Sequence, residues 1–144
     1  MLTLLAVGSW FGADHVSWQI AEELKPGAAF QVHLCRHPVD LLSYINAGDE
    51  YVILDAVCTG QARGRLLKID INSGWQTSGG NSHGLSLIDV LKLAALVTEP
   101  AEKRVQLYGV EAGENTDQPF TEGEVRCLAE QLTAIMAAGS AATQ

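Results

Sequence analysis

The chain has 144 residues, the length of one ordinary domain and too short for two comfortable ones. With 47% hydrophobic and 18% charged residues it is globular in composition, and no apolar run approaches the ~20 residues that span a bilayer. Nine basic residues against seventeen acidic ones leave a formal net charge of −8 without a basic stripe, which predicts no nucleic-acid partner and no membrane association.

Leu2-Thr3-Leu4-Leu5-Ala6-Val7 is apolar, lacks a preceding basic segment and runs into Gly8-Ser9-Trp10 without a cleavage pattern. It reads as a buried first strand, not a signal peptide. Val16, Ile20 and Leu24 recur every four residues on one face of a helix that Pro26-Gly27 stops. Phe30 to Leu34 is a second strand. Pro38 opens a small helix carrying Leu41, Leu42 and Ile45, which Asn46-Ala47-Gly48 ends. Tyr51-Val52-Ile53-Leu54 is a third strand, apolar on both faces, with Asp55 at its carboxyl end. Crossovers of helical length between apolar strands require βαβ units and a parallel sheet.

From Gly64 to Ile71 the pattern changes: Leu67, Ile69 and Ile71 alternate with Leu66, Lys68 and Asp70. One wet face predicts an edge strand. Residues 72–80 are rich in Gly, Ser and Asn and read as a loop, and Ser86-x-x-Asp89 marks a helix start just beyond it. Arg104 to Val110 is the last strand. Thr121-x-x-Glu124 is a capping box opening a helix with Val125, Leu128, Leu132 and Ile135 on its buried side. The expected fold is an α/β three-layer sandwich: a twisted, mostly parallel five-stranded sheet with helices on both faces and edge strand 64–71. A single domain covers residues 1–139, with 140–144 as a frayed tail. Three widely spaced cysteines without C-x-x-C suit free thiols in a reducing, cytoplasmic compartment.

In such sheets the loops at the carboxyl ends of the strands build the site. Asp14, Asp55 and His83 fall there, far apart in sequence, so only the fold can bring them together. Two carboxylates and one imidazole suit a divalent transition metal such as nickel or zinc. Each residue also has a plainer role open to it. Asp14 can cap the first helix, Asp55 can be a structural hydrogen-bond acceptor, and His83 can be a solvated loop histidine. The string His33-Leu34-Cys35-Arg36-His37 could present ligands along a strand end, although ordinary strand residues account for it. Cys58 has no base identifiable beside it, and Gly8-Ser9-Trp10-Phe11-Gly12 lacks a phosphate-binding pattern.

Taken together, Leu4-Leu5-Ala6-Val7-Gly8-Ser9 with Asp14-His15-Val16-Ser17-Trp18, Val52-Ile53-Leu54-Asp55-Ala56-Val57 with Gly60 and Gly64, Ser82-His83-Gly84-Leu85-Ser86-Leu87 with Asp89-Val90-Leu91, and Val105-Gln106-Leu107-Tyr108-Gly109-Val110-Glu111 resemble, in that order, the [NiFe]-hydrogenase maturation endopeptidases. The resemblance implies that Asp14, Asp55 and His83 are the metal-binding and catalytic residues. It also implies that the nickel arrives with the substrate, the precursor of the hydrogenase large subunit, from which a C-terminal peptide is cut. Another divalent metal could stand in for nickel in vitro, and a monomer is expected. Departures are visible. Ala13-Asp14 stands where the family has an acidic pair, which makes His15 a neighbouring candidate ligand. Ser9 replaces the usual Asn, Ser17 the usual Gly, and Arg36-His37-Pro38 occupies the place of D-G-G-T. These departures keep a second expectation alive: a non-catalytic flavodoxin-like adaptor or ligand-binding domain.

Overall fold

A computed structural model describes residues 2–24, 30–45, 50–69 and 105–142. In chain order these form β1 (Leu2–Val7), a 3-10 turn (Gly12–His15), α1 (Val16–Leu24), β2 (Gln31–Cys35), a second 3-10 segment (Pro38–Ser43), β3 (Glu50–Val57), β4 (Leu66–Ile69), β5 (Val105–Glu111) and α2 (Glu122–Ala142). The predicted loop 72–80, the helix start at Ser86 and His83 itself lie outside the described residues, as do Pro26-Gly27 and Asn46-Ala47-Gly48.

The sheet has five strands in the order β2-β1-β3-β5-β4. β1 pairs in parallel with β2 and β3, β3 pairs in parallel with β5, and β4 alone runs antiparallel, against β5. β1, β3 and β5 are buried on both faces because each lies between two strands and beneath packed elements, which explains their unbroken apolar runs. The two edge strands are partly wet, with Gln31 and Leu34 exposed on β2 and Lys68 exposed on β4. The wet face therefore identified an edge correctly.

Strand pleating divides the core in two. Leu4, Ala6, Val52, Leu54, Tyr108 and Val110 face α1 and α2. Leu5, Val7, Ile53, Val57 and Leu107 point the other way, onto Leu41 and Ile45. Those two packed faces make the three layers. On the first face, Val16 and Ile20 of α1 and Leu128 and Leu132 of α2 are buried as their spacing predicts. The Trp18 indole N–H donates to the carbonyl of Cys35 at 3.2 Å, tying α1 to β2.

Several boundaries move. β2 begins at Gln31 and takes in Cys35, and β3 continues to Val57, so Asp55 lies inside the strand rather than closing it. The segment after Pro38 is a 3-10 turn that buries Leu41 and leaves Leu42 42% exposed. Its smaller number of residues per turn, roughly three against 3.6 in an α-helix, rotates neighbouring side chains away from the α-helical stripe. Among the described residues β4 spans Leu66–Ile69; Asp70 and Ile71 of the expected strand lie outside them. Helix α2 carries on through Ala142, past Gly139, where the Ala-rich sequence favours helix.

The capping box at the start of α2 forms in full. The Thr121 N–H donates to Glu124 Oε1 at 2.9 Å, and the Glu124 N–H donates to Thr121 Oγ1 at 3.2 Å. Replacing Thr121 with Ala should cost about 1 kcal/mol, read as a shifted midpoint in urea unfolding with an unchanged slope.

Candidate active site

The carboxyl ends of β1, β3 and β5 lie along one edge of the sheet, because those strands are parallel. Asp14 follows β1 on the 3-10 turn Gly12–His15 and is half-buried. Its backbone is held at both ends: its N–H donates to the carbonyl of Phe11 at 3.1 Å, and its own carbonyl accepts from Ser9 at 3.2 Å. Two glycines permit this turn. A Cβ on Gly8 would stand 2.6 Å from the Asp14 carbonyl oxygen. Gly12 has a φ of +52° and lies directly against the Thr116 carbonyl.

Asp55 sits on the adjacent strand. β1 pairs with β3 through Ala6 opposite Leu54, so Asp55 is the next residue along from that pair. It is only 2% exposed, and its Oδ1 accepts the N–H of Ala56 at 2.8 Å. The 3-10 turn bearing Asp14 lies against β3. Thus the fold brings two of the three expected ligands to the same edge of neighbouring strands, while the third, His83, lies outside the described residues. Among the described residues, no three His, Cys, Asp or Glu side chains cluster closely enough to hold a metal.

The other candidates lie in different surroundings. His15 lies in an aromatic cluster, with ring centroids 5.1 Å from Trp10 and 6.2 Å from Trp18. His33 stacks on Tyr44 at 4.6 Å. Burial, with the charge of Asp40 adding to it, pushes the Cys35 thiol up to about 11, so it stays a protonated core residue. Cys58 is exposed and its Sγ donates to the Gly113 carbonyl at 3.4 Å. Desolvation first, then the Glu111 charge, raise its thiol above the ordinary value, the reverse of what an activated nucleophile needs.

Glu111 is a further acidic residue of this edge. It ends β5, opposite Val57, and is fully buried. Its carboxylate accepts hydrogen bonds from the Thr59 N–H (3.0 Å), the Gln61 N–H (3.3 Å), the Gly113 N–H (3.0 Å) and the Thr59 hydroxyl. Burial alone pushes this carboxyl up, but the hydrogen bonds outweigh it and hold the group below its ordinary value of 4.5. One buried anion therefore shapes the loop that follows Asp55. The signal is present in the sequence: an acidic residue directly after an apolar run, as Asp55 follows Tyr51-Val52-Ile53-Leu54.

Arg63 completes the edge. It donates to the carbonyls of Ala112 (2.7 Å), Asn115 (3.0 Å) and Gln118 (2.6 Å), and its guanidinium stands 4.1 Å over the Phe120 ring. The Ala13 N–H in turn donates to the Thr116 carbonyl at 2.9 Å. The three loops after β1, β3 and β5 are thereby fastened to one another, which fixes the backbone beneath Asp14 and Asp55.

Solved structures share this fold over nearly the whole chain. The [NiFe] hydrogenase maturation protease HycI from Thermococcus kodakarensis KOD1 superposes with a TM-score of 0.65 at 21% identity, covering 94% of this chain and 92% of that one. A hydrogenase 3 maturation protease gives 0.68 at 18% identity, covering 92% and 86%. The endopeptidase HycI from Escherichia coli gives 0.63 at 18% identity over the same shares. This chain has the fold of the [NiFe] hydrogenase maturation proteases. No protein-family model matches the sequence, and no curated protein does either. Among the described residues, no helix is long and apolar enough to cross a membrane.

Proposed function

We propose that this maturation-protease-like chain is an endopeptidase that removes a C-terminal peptide from the nickel-loaded precursor of a [NiFe]-hydrogenase large subunit. The observation that carries this reading is the placement of Asp14 and Asp55 at one edge of neighbouring parallel strands, in a fold shared along its length with maturation proteases. Fold likeness alone assigns no activity. Two acidic side chains at the edge where such sheets build their sites supply the chemical argument.

In this reading Asp14, Asp55 and His83 complete the coordination of the nickel that belongs to the substrate. Bound there, the ion supplies Lewis acidity toward the scissile carbonyl or an attacking water. The protein's own contribution is positional. Asp55 is held by its strand, and the fastened loops keep Asp14 in place, so the precursor's tail is presented at a fixed geometry. The donor set fits a borderline divalent ion.

The test is a mass spectrum of the cognate precursor before and after incubation with the purified protein. The nickel-loaded form should lose a C-terminal peptide, and the nickel-free form should keep its mass. Retention of full mass by the loaded precursor would instead support the adaptor reading.

A further inference from the structure

Beside the Asp14 turn, on the face covered by α1 and α2, a groove of about 640 Å³ opens between the start of α2 and the exposed side of α1. Its apolar lining is Trp10, Trp18, Leu34 and Val125. Trp10 is 70% exposed and meets Trp18 edge-on at 5.1 Å, and its neighbour Phe11 is 76% exposed. Two consecutive aromatic residues this exposed carry an unfavourable hydration cost in the free protein that contact with a partner would relieve.

The rim has a definite sign. Glu22, Glu23 and Glu122 stand on it against the single cation of Arg126. Gln19, also on the wall, has its Oε1 buried without a hydrogen-bond partner among the described residues, an acceptor that turning the amide would offer to an N–H donor. Acidic groups around an exposed indole form a receptor for a cationic side chain, which gains both charge attraction and contact with the ring face. A second copy of this chain is a poor occupant, since each carries a net charge of −8.

We propose that this groove docks a segment of the substrate polypeptide in which Lys or Arg alternates with large apolar side chains, beside the Asp14 turn. The identity of the partner rests on the peptidase reading; the chemistry of the groove does not. The site thus adds an anchoring contact that selects substrates by charge before any metal chemistry begins.

Isothermal calorimetry with a blocked hexapeptide of alternating leucine and arginine tests this without cleavage or nickel. One-to-one saturable binding is expected, weakening at least about fivefold between about 50 and 500 mM salt as the rim charges are screened. The same peptide with glutamate in place of arginine should not bind. Trp10→Ala, at an exposed position that leaves the core intact, should weaken binding at least about fivefold. Glu22→Gln with Glu23→Gln should flatten the salt dependence. Equal binding of the acidic peptide, no saturable binding of the cationic one, or indifference to Trp10→Ala would overturn the proposal. So would a dimer in light scattering that Trp10→Ala dissociates, because the groove would then belong to a second copy. Binding without precursor cleavage would overturn the peptidase reading alone. Cleavage without peptide binding would overturn the groove alone.

Discussion

Asp55→Asn is expected to reduce processing of the nickel-loaded precursor by at least about a hundredfold while the protein stays folded. Loss of groups one shell beyond a metal already costs roughly 10–100-fold, and Asp55 is proposed to touch the ion directly. Asparagine matches the shape of aspartate and retains an oxygen to accept the Ala56 N–H, now 2.8 Å from Oδ1. It cannot supply a negative ligand. The measurement is a time course of precursor trimming alongside a urea melt of the same preparation. A variant that trims at the parental rate would remove Asp55 from the chemistry. One that trims normally in its folded fraction but melts early would make it a structural acceptor.

Glu111→Ala should instead produce the largest loss of stability. Four donors converge on this fully buried carboxylate, from Thr59, Gln61 and Gly113. Removing it strips them of their acceptor where Thr59 and Gly113 are half-buried and Gln61 is exposed, so water compensates only in part, at a cost of roughly 2–3 kcal/mol. Glu111→Gln keeps one oxygen and should fall between the two. The carboxylate also gives the fold an acid-sensitive component. Since its folded value lies below the ordinary 4.5, its stabilisation is fully present above that value and is lost as pH falls through the lower, folded one. Unfolding free energies measured from neutral pH down through the acid range should fall less steeply in Glu111→Gln than in the parent. Parallel pH profiles for the two proteins would show that Glu111 does not carry this component. Because the Glu111 loop follows Asp55, processing by Glu111→Gln should also slow, though less than in Asp55→Asn.

What the sequence determined by itself was what periodicity and punctuation can encode. Buried strands announce themselves as unbroken apolar runs, and Leu4, Leu5, Ile53 and Leu54 are indeed buried. The alternation around Lys68 marked an edge strand, and Thr121 with Glu124 marked a helix start that forms as written. Each of these signals is local: the cause lies within a few residues of its effect. Asp14 and Asp55 were legible as candidates for a related reason, since a carboxylate next to an apolar run is conspicuous.

Only the tertiary structure decided what depends on distant partners. Leu41 and Leu42 are identical neighbours in the sequence, but the 3-10 turn buries the first and exposes the second. His15, adjacent to Asp14 in sequence, is drawn into an aromatic cluster with Trp10 and Trp18. The hold of Arg63 on carbonyls some fifty residues away, and of Glu111 on the loop after Asp55, has no local signature. Those contacts exist because parallel pairing places the ends of β1, β3 and β5 side by side. A parallel crossover separates neighbouring strands by a long stretch of chain, so the residues that share an edge are remote in sequence, and their meeting is a property of the sheet.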